Sequence, residues 1–309
     1  MNNIFITGSC GYVGKALFSE LKSINLSSLD RNYNDYISRK CHKFFCDDLN
    51  AMSPEAEDFL SNFAGSIIHL AAARSDDFSE KTYKIDNLKA TENFIKKLNP
   101  KKIKLFIHLG SVAAIDGEII EQTGNAVSCA DDWYRITKYQ QQKLIESWSI
   151  TNNVPLVILA PSAIHDSNAR DNLTNIGRLE KAVSFFKIMP EINVLKSLTA
   201  MSNLISAIKY FINPKEESAE HKKINLVRRY LVLDKPVMTI TEICKKKFKA
   251  KLVVKIPKLK SLLLLLASLI NFIGLQKKMP LSKDRVMKLY KSTDYNNIKG
   301  YKEWLNEKN

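Results

Sequence analysis

The sequence lacks any apolar run of the roughly 20 residues that a membrane-spanning helix needs. It also has few cysteines, and their odd number and irregular spacing fit neither a disulfide framework nor a metal site. We therefore expect reduced thiols and no bound metal. Because the first residues lead directly into a strand, we also expect a cytoplasmic protein. The cysteines are Cys10, Cys41, Cys46, Cys129 and Cys244.

Positive charge is confined to the last third of the chain. Residues 221–309 hold 22 Lys and Arg against six Asp and Glu, whereas residues 1–220 hold 25 against 26. No aromatic stacking platform, zinc-finger spacing or helix-turn-helix signal lies beside these lysines. The sequence therefore predicts no nucleic-acid partner.

The same basic third contains an apolar stretch, at about residues 258–275, that we expect to form a helix. Because it is apolar on nearly every side, it should be buried in something. It could form the core of a small C-terminal domain. It could instead insert shallowly into an anionic inner leaflet, where each nearby Lys or Arg contributes about 1 kcal/mol. The stretch is bordered by Lys258, Lys260, Lys277 and Lys278.

Apolar runs alternate with helical patterns through the first half of the chain. Such alternation predicts an α/β fold with a doubly wound parallel sheet, the Rossmann architecture. The 309 residues, 45% of them hydrophobic, suffice for one large domain and a smaller one. We expect a dinucleotide-binding domain over residues 1–160. Residues 161–309 should be a mainly substrate-binding α+β domain, because the pattern loosens there.

A glycine-rich motif follows the first predicted strand. Thr7 to Gly14 carries three glycines at a spacing that opens a helix. Glycines there permit a tight turn and close approach of a pyrophosphate, whose charge meets the helix N-terminus. The motif predicts NAD as the cofactor. The residues assigned to it are Gly8, Gly11, Tyr12, Val13 and Gly14.

A second predicted strand, Leu26 to Asp30, ends in a carboxylate. In a dinucleotide-binding fold this acid holds the 2′-hydroxyl of the adenosine ribose, which favours NAD over NADP. The adjacent Arg31 weakens that preference, because a guanidinium could accept a 2′-phosphate if Asp30 swung aside. The sequence therefore favours NAD, and NADP stays the alternative.

A Tyr-x-x-x-Lys motif, Tyr134 and Lys138, lies on a predicted helix. The i, i+4 spacing puts both side chains on one face. A nearby ammonium stabilises a phenolate. Tyr134 could therefore act as general base toward a sugar hydroxyl, while Lys138 also binds the nicotinamide ribose.

With these motifs the chain resembles the extended short-chain dehydrogenase/reductase family, in particular its nucleotide-sugar epimerase and dehydratase branch. The resemblance covers nearly the whole length. It implies that Asp48 and Leu49 lie at the adenine and that Ser111 is catalytic and orients the substrate hydroxyl. Asn87 could contact the cofactor or be merely structural. The remaining cofactor contacts that the family implies are Leu70, Ala71 and Ala72.

The chain is similar, in less generic segments, to bacterial polysaccharide epimerases that act on N-acetylhexosamines, including those with the sugar on undecaprenyl diphosphate. The segments include 70–79, 196–198 and 234–236. The likeness implies a homodimer that interconverts N-acetylglucosamine and N-acetylgalactosamine at carbon 4. It places Asn172 at the substrate diphosphate, although an Asn at a helix start is otherwise an N-cap.

The residues directly after Ser111 bear on the reaction type. A 4,6-dehydratase needs an extra acid and base there, and Val112, Ala113 and Ala114 offer neither. Epimerisation needs only the serine, tyrosine, lysine and a retained NAD. We therefore predict an epimerase, with a 4-keto-sugar reductase or dehydrogenase as the alternative. A non-catalytic scaffold stays open because Asp116 and Ala160 depart from the family pattern.

Overall fold

The computed structural model describes residues 3–21, 25–73, 79–123, 130–166, 187–213, 226–246, 249–272 and 283–307. The chain forms two compact units. The first comprises Met1–Ser162, Met201–Leu233 and Asn297–Asn309, and the second comprises Ala163–Ala200 and Asp234–Asn296. The boundary expected after residue 160 differs from this division, because the chain later returns twice to the first unit.

The strands are β1 Asn3–Thr7, β2 Asn25–Leu29, β3 Lys43–Phe45, β4 Gly65–His69, β5 Ile103–Leu109, β6 Leu156–Pro161, β7 Ala163–His165, β8 Ile188–Pro190, β9 Leu195–Lys196, β10 Leu198–Ala200, β11 Val227–Val232, β12 Met238–Thr239, β13 Leu252–Val254 and β14 Lys302–Glu303. Eight of them form one sheet in the first unit, in the order β14-β11-β6-β5-β4-β1-β2-β3. All neighbouring pairs in this sheet are parallel. The predicted doubly wound α/β fold is confirmed. The strand order reverses between β1 and β4, where such sheets open a ligand crevice.

The helices are α1 Tyr12–Glu20, α2 Asp35–Lys40, α3 Pro54–Asn62, α4 Glu80–Tyr83, α5 Ala90–Lys97, α6 Ala113–Thr123, α7 Ala130–Asn152, α8 Met201–Ile212, α9 Ile240–Lys246, α10 Leu259–Phe272, α11 Lys283–Tyr290 and α12 Trp304–Glu307. A π-helix, Lys84–Lys89, joins α4 to α5. None of the helices in the described ranges is long and apolar enough to cross a membrane.

The core of the first unit is built on aromatic side chains of the sheet and its helices. Phe5 on β1 contacts the rings of Phe59, Phe63 and Phe94, with centroids about 6 Å apart. Rings at this separation add to the stabilisation from buried area alone. The cluster fixes α3 and α5 against the central strands.

Polar contacts explain why the chain returns to the first unit. Glu146 on α7 is 3% exposed, and its Oε1 accepts a hydrogen bond from Arg229 Nε on β11 at 2.6 Å. Gln142, one turn earlier, donates to Tyr301 Oη at 3.0 Å. A buried carboxylate needs a partner of opposite charge. These two links therefore hold β11 and the C-terminal residues beside α7.

The second unit contains three two-stranded sheets, which pair β7 with β10, β8 with β13 and β9 with β12. Its core includes Met189, Leu198 and Ile243, and Leu259 at the start of α10 packs against it. His165, on β7, lies with its Nε2 2.8 Å from Asp234 Oδ2.

Helix α10 is the predicted apolar helix, and one of its faces is exposed among the residues that the structure describes. Ala267 is 2% exposed, but Leu262, Leu265, Leu266 and Leu269 are 46, 67, 40 and 55% exposed. Of the two alternatives for this helix, burial in a domain core therefore does not account for this face. The reason is that a single helix packed on one side can bury only part of an all-round apolar surface.

Candidate active site

The glycine-rich turn joins β1 to α1 at a very close approach of backbones. Gly8 has φ +75°, and a Cβ there would lie 2.7 Å from the backbone N of Ala71, which follows β4. A Cβ on Gly14 would lie 2.3 Å from Ser9 O. Gly11 is the N-cap of α1, and the predicted cofactor residues Tyr12 and Val13 begin that helix. The turn thus leaves the α1 N-terminus open for an anion.

A cavity opens beside this turn, at the crevice between β1 and β4. Eight of the predicted cofactor residues line it: Gly8, Gly11, Asp30, Asp48, Leu49, Leu70, Ala71 and Ala72. Those from 8 to 30 follow β1 and β2, and those from 70 to 72 follow β4. Because the carboxyl ends of parallel strands meet at one edge of the sheet, residues far apart in sequence converge here.

Asp30 is held in place by two backbone amides. Its Oδ2 accepts from Cys10 N and its Oδ1 from Asn32 N, both at 2.8 Å, and the residue is 7% exposed. Each carboxylate oxygen can accept further hydrogen bonds. Asp30 is therefore fixed but still able to accept bonds from ribose hydroxyls.

Arg31, which left the cofactor choice open in the sequence, is engaged by acidic residues. Its guanidinium nitrogens lie 3.2 Å from Asp86 Oδ2 and 3.8 Å from Asp48 Oδ2. A 2′-phosphate would bring further negative charge beside these two carboxylates and Asp30. This environment disfavours NADP and suits the uncharged ribose of NAD.

Asn87, on the π-helix, uses its amide within the protein. Its Oδ1 accepts from Ala73 N at 2.8 Å, and its Nδ2 donates to Thr137 Oγ1 at 3.0 Å. Thr137 stands between the two residues of the Tyr-x-x-x-Lys motif. Asn87 thus ties the segment after β4 to α7, which favours the structural role that the sequence left open. Its contact with a cofactor stays a prediction.

Ser111 and Tyr134 come from neighbouring elements of the first unit. Ser111 follows the end of β5, and its Oγ accepts from Ala113 N at 3.1 Å, so the serine starts α6. Tyr134 is half-buried on α7, with its ring 5.9 Å from that of Tyr83. The catalytic roles of both residues remain predictions.

Lys138 lies on α7 with its side chain buried, and its ammonium points at the end of β5. Its Nζ donates to Leu109 O at 3.2 Å and to Gln141 Oε1 at 2.6 Å. Only 2% of the residue is exposed, and this burial lowers the pKa of Lys138 to about 7. The lysine therefore changes charge near neutral pH, where an ordinary lysine would not.

Behind Lys138 lies a buried network that the sequence did not reveal. Gln141 Nε2 donates to Thr91 Oγ1 at 2.8 Å, and His69 places Nε2 3.1 Å from the same hydroxyl and Nδ1 2.8 Å from Thr7 Oγ1. Burial, then the charge of Lys138, lowers the pKa of His69 to about 3. The i, i+3 spacing of Gln141 from Lys138 is the signal that could have found it.

His108, beside His69, belongs to the same buried layer. The two rings stack with centroids 5.8 Å apart, and neither ring nitrogen of His108 has a hydrogen-bond partner among the described residues. Burial, with the charge of Lys138, holds the pKa of His108 well below its usual value. Both histidines are therefore neutral and add no positive charge around Lys138.

The segment around Asp116, which departs from the family pattern, packs against α7. A Cβ on Gly117 would lie 2.1 Å from Arg135 O, so the glycine lets α6 and α7 cross in contact. Asp116 Oδ2 lies 3.7 Å from Arg135 Nε. The segment after the serine is thus fixed against the helix that carries Tyr134.

One predicted substrate contact and the question of a metal site remain. Asn172 lies in 167–186, outside the described residues. No group of three or more His, Cys, Asp or Glu side chains in the described part of the chain is placed to hold a metal ion.

Solved structures share the fold of this chain at low identity. One is the terminal R domain from the myxalamid PKS-NRPS biosynthetic pathway, at 16% identity over 94% of this chain and 78% of that one, with a TM-score of 0.66. Another is the UDP-glucuronic acid 4-epimerase of Bacillus cereus in complex with NAD. It is 17% identical over 82% of this chain and 85% of that one, with a TM-score of 0.61. A third is a UDP-galactose 4-epimerase, which is 13% identical over 79% of this chain and 81% of that one, with a TM-score of 0.57.

Sequence comparison identifies the family. No curated protein matches the chain. The sequence profile of the NAD-dependent epimerase/dehydratase family matches residues 4–184, which include β1 to β6 and the Tyr-x-x-x-Lys motif. The family match confirms the predicted cofactor, NAD. The residues around the crevice fit NAD. The chain therefore belongs to the NAD-dependent epimerase/dehydratase family.

Proposed function

We propose that the chain is an NAD-dependent 4-epimerase of an N-acetylhexosamine carried on a diphosphate, either undecaprenyl diphosphate or UDP, in bacterial surface-polysaccharide synthesis. One observation carries the proposal. The cavity lined by Gly8 and Asp30 opens beside β4, and Lys138, on the helix of Tyr134, is anchored to the end of the next strand, β5. This arrangement supports a dinucleotide site and an alcohol-activating pair at one edge of one sheet.

The side chains divide the chemistry between them. NAD, when bound, would supply a group that takes a hydride from a carbinol carbon and returns it to the opposite face of that carbon. Tyr134 removes the hydroxyl proton as that hydride leaves, and Ser111 orients the hydroxyl. The Lys138 ammonium stabilises the phenolate that Tyr134 must form, because an opposite charge nearby favours the ionised state.

Epimerisation is favoured over dehydration by the residues after Ser111. Val112 and Ala114 are 7% and 1% exposed, and neither these two nor Ala113 carries an acid or base. Removal of water from the sugar needs an additional proton donor and acceptor. The oxidation and reduction of one carbon needs only the groups named above.

The finer assignments rest on the sequence resemblance. It supports N-acetylglucosamine and N-acetylgalactosamine as the sugars, carbon 4 as the centre inverted, Asn172 at the diphosphate and a homodimer. It also supports a cytoplasmic enzyme that works on the inner face of the cell membrane when the carrier is a polyprenyl chain. All of these are proposals.

The test is to incubate purified protein, with no added nicotinamide, with UDP-N-acetylglucosamine and separately with undecaprenyl-diphosphate N-acetylglucosamine. The sugars are then released by hydrolysis and identified. The galacto epimer from either donor supports the proposal and identifies the carrier. If neither donor is converted, and a 4-keto sugar instead consumes stoichiometric NADH or NADPH, the chain is a reductase.

A further inference from the structure

Helix α10 exposes a stripe of leucines, which we call the leucine stripe: Leu262, Leu265, Leu266 and Leu269. Their i, i+3, i+4, i+7 spacing puts them on one face of the helix. Each is at least 40% exposed, whereas Ala267, turned away from them, is 2% exposed. Single exposed leucines are ordinary on a protein surface, but a contiguous apolar row marks a contact surface.

Apolar exposure begins before the helix. Leu252, Val254 and Ile256 are 53, 39 and 40% exposed, whereas Val253 between them packs on the core of the second unit. Alternate residues of an extended segment lie on one face. The chain thus exposes apolar side chains both on this segment and on the helix that follows it.

The charge around these residues has one sign. Residues 234–296 hold 15 Lys and Arg against four Asp and Glu, with no acidic residue from Ile243 to Lys283. Lys255, Lys258 and Lys260 are exposed immediately before the leucine stripe. Lys258 lies one turn ahead of it, because Leu262 N donates to Lys258 O at 3.1 Å. A partner of this surface must have both an apolar region and negative charge.

We propose that the leucine stripe docks on an anionic phospholipid bilayer, with α10 lying in the plane of the interface. The 14 residues of α10 are about 21 Å long, shorter than the roughly 30 Å hydrocarbon core, so the helix lies on the bilayer and does not cross it. The leucines enter the headgroup boundary while the lysines stay among the phosphates.

Other occupants fit this surface less well. A second copy of the chain docked by the same stripe would bring two sets of lysines together, because a two-fold contact is self-complementary. Nucleic acid would match the lysines but leave the leucines in water. Neither supplies apolar substance and negative charge together.

The experiment uses the intact protein and vesicles, without substrate, so its outcome is independent of the proposed reaction. The protein is sedimented with vesicles of phosphatidylcholine alone and of phosphatidylcholine with phosphatidylglycerol, at low and at high salt. We expect sedimentation with the anionic vesicles at low salt and weaker sedimentation at high salt, where the charges are screened.

The variant is Leu265→Gln with Leu269→Gln, which changes side chains already 67% and 55% exposed. Its control is Ile119→Gln with Ile150→Gln, at side chains 53% and 61% exposed in the first unit. We expect binding to anionic vesicles to fall about tenfold or more in the leucine variant, because affinity scales with the apolar area inserted. The control should bind like the wild type.

Three outcomes would overturn the proposal. The wild type could remain in the supernatant with anionic vesicles, or the leucine variant could bind them as well as the control does. The leucine variant could also be monomeric where the wild type is a dimer, with neither binding vesicles, which would make the stripe a contact between copies. NAD affinity, measured on every variant, confirms that the first unit is folded.

Discussion

The ammonium of Lys138 donates to the side-chain oxygen of Gln141 at 2.6 Å, and the two residues are 2% and 0% exposed. Burial lowers the pKa of the lysine to about 7, while a hydrogen bond accepted from the ammonium favours its charged form. Gln141 therefore favours the charged form of Lys138, which stabilises the phenolate of Tyr134. Its own amide nitrogen is in turn fixed by Thr91.

Replacing Gln141 by leucine should lower the pH above which the reaction fails. Without the acceptor, the pKa of Lys138 falls further, by about 1 to 2 units for a lost hydrogen bond to a charged group. Because the active form carries the ammonium, the alkaline limb of the kcat/KM profile moves to lower pH by the same amount. The measurement is kcat/KM against pH.

The control for this change is Gln140→Leu, at the neighbouring residue that bonds to Glu121 on the surface. It should leave the pH profile in place. A Gln141→Leu profile that superimposes on the wild type would show that Gln141 only packs beside the lysine.

Removing the phenol of Tyr134 should stop turnover without loosening the fold. Tyr134→Phe keeps the ring that contacts Tyr83 but removes the proton acceptor, so we expect a loss in kcat of about 10²-fold to 10⁴-fold. The affinity for NAD, followed by fluorescence titration, should change little. If kcat were unaffected, the assignment of Tyr134 as general base would be wrong.

Asp30 should determine the affinity for NAD. Asp30→Ser removes a carboxylate that two backbone amides hold in the cavity, and a hydrogen bond to a charged group contributes about 1.5 to 3 kcal/mol, or about 10-fold to 100-fold in Kd. Asp35→Ser, which removes the partner of Arg39 on the exposed face of α2, is the matched control. Equal affinities for NAD in the two variants would contradict the role of Asp30.

Stability should fall in acid because of the buried histidines. The pKa of His108 is held well below 6.5 in the folded chain, so below that pH the unfolded chain binds a proton that the folded chain does not. Each such histidine makes the free energy of unfolding fall by up to about 1.4 kcal/mol per pH unit. The free energy of unfolding of His108→Leu should therefore fall less steeply than that of the wild type between pH 6 and about pH 4.

Guanidinium unfolding across this pH range measures the difference, with His42→Gln on the surface as the control. His108 also has no hydrogen-bond partner among the described residues, so the leucine variant should be at least as stable as the wild type at pH 7. A wild-type and a His108→Leu curve of equal slope would contradict the assignment of a neutral buried histidine.

The sequence predicts the parts of the site that have fixed spacing. Gly8, Asp30 and the Tyr134 motif are predictable because a tight turn, a strand end and one helical turn impose those intervals. The return of β11 was not found, because it depends on Arg229 meeting Glu146, 83 residues away. The bond between Gln141 and Lys138 was missed because a glutamine on a helix is usually exposed. The exposed leucine stripe depends on which face of α10 packs, which an all-leucine run does not indicate.

The most direct test of the proposed reaction follows the hydrogen on carbon 4. N-Acetylglucosamine donors, nucleotide-linked and lipid-linked, are prepared with deuterium at that carbon and incubated with the purified protein and no added nicotinamide. We predict a galacto product that keeps its deuterium at carbon 4, because the hydride leaves and returns within one site. Deuterium released into free NADH with a 4-keto sugar as the product, or no conversion of either donor, would contradict the proposed epimerisation.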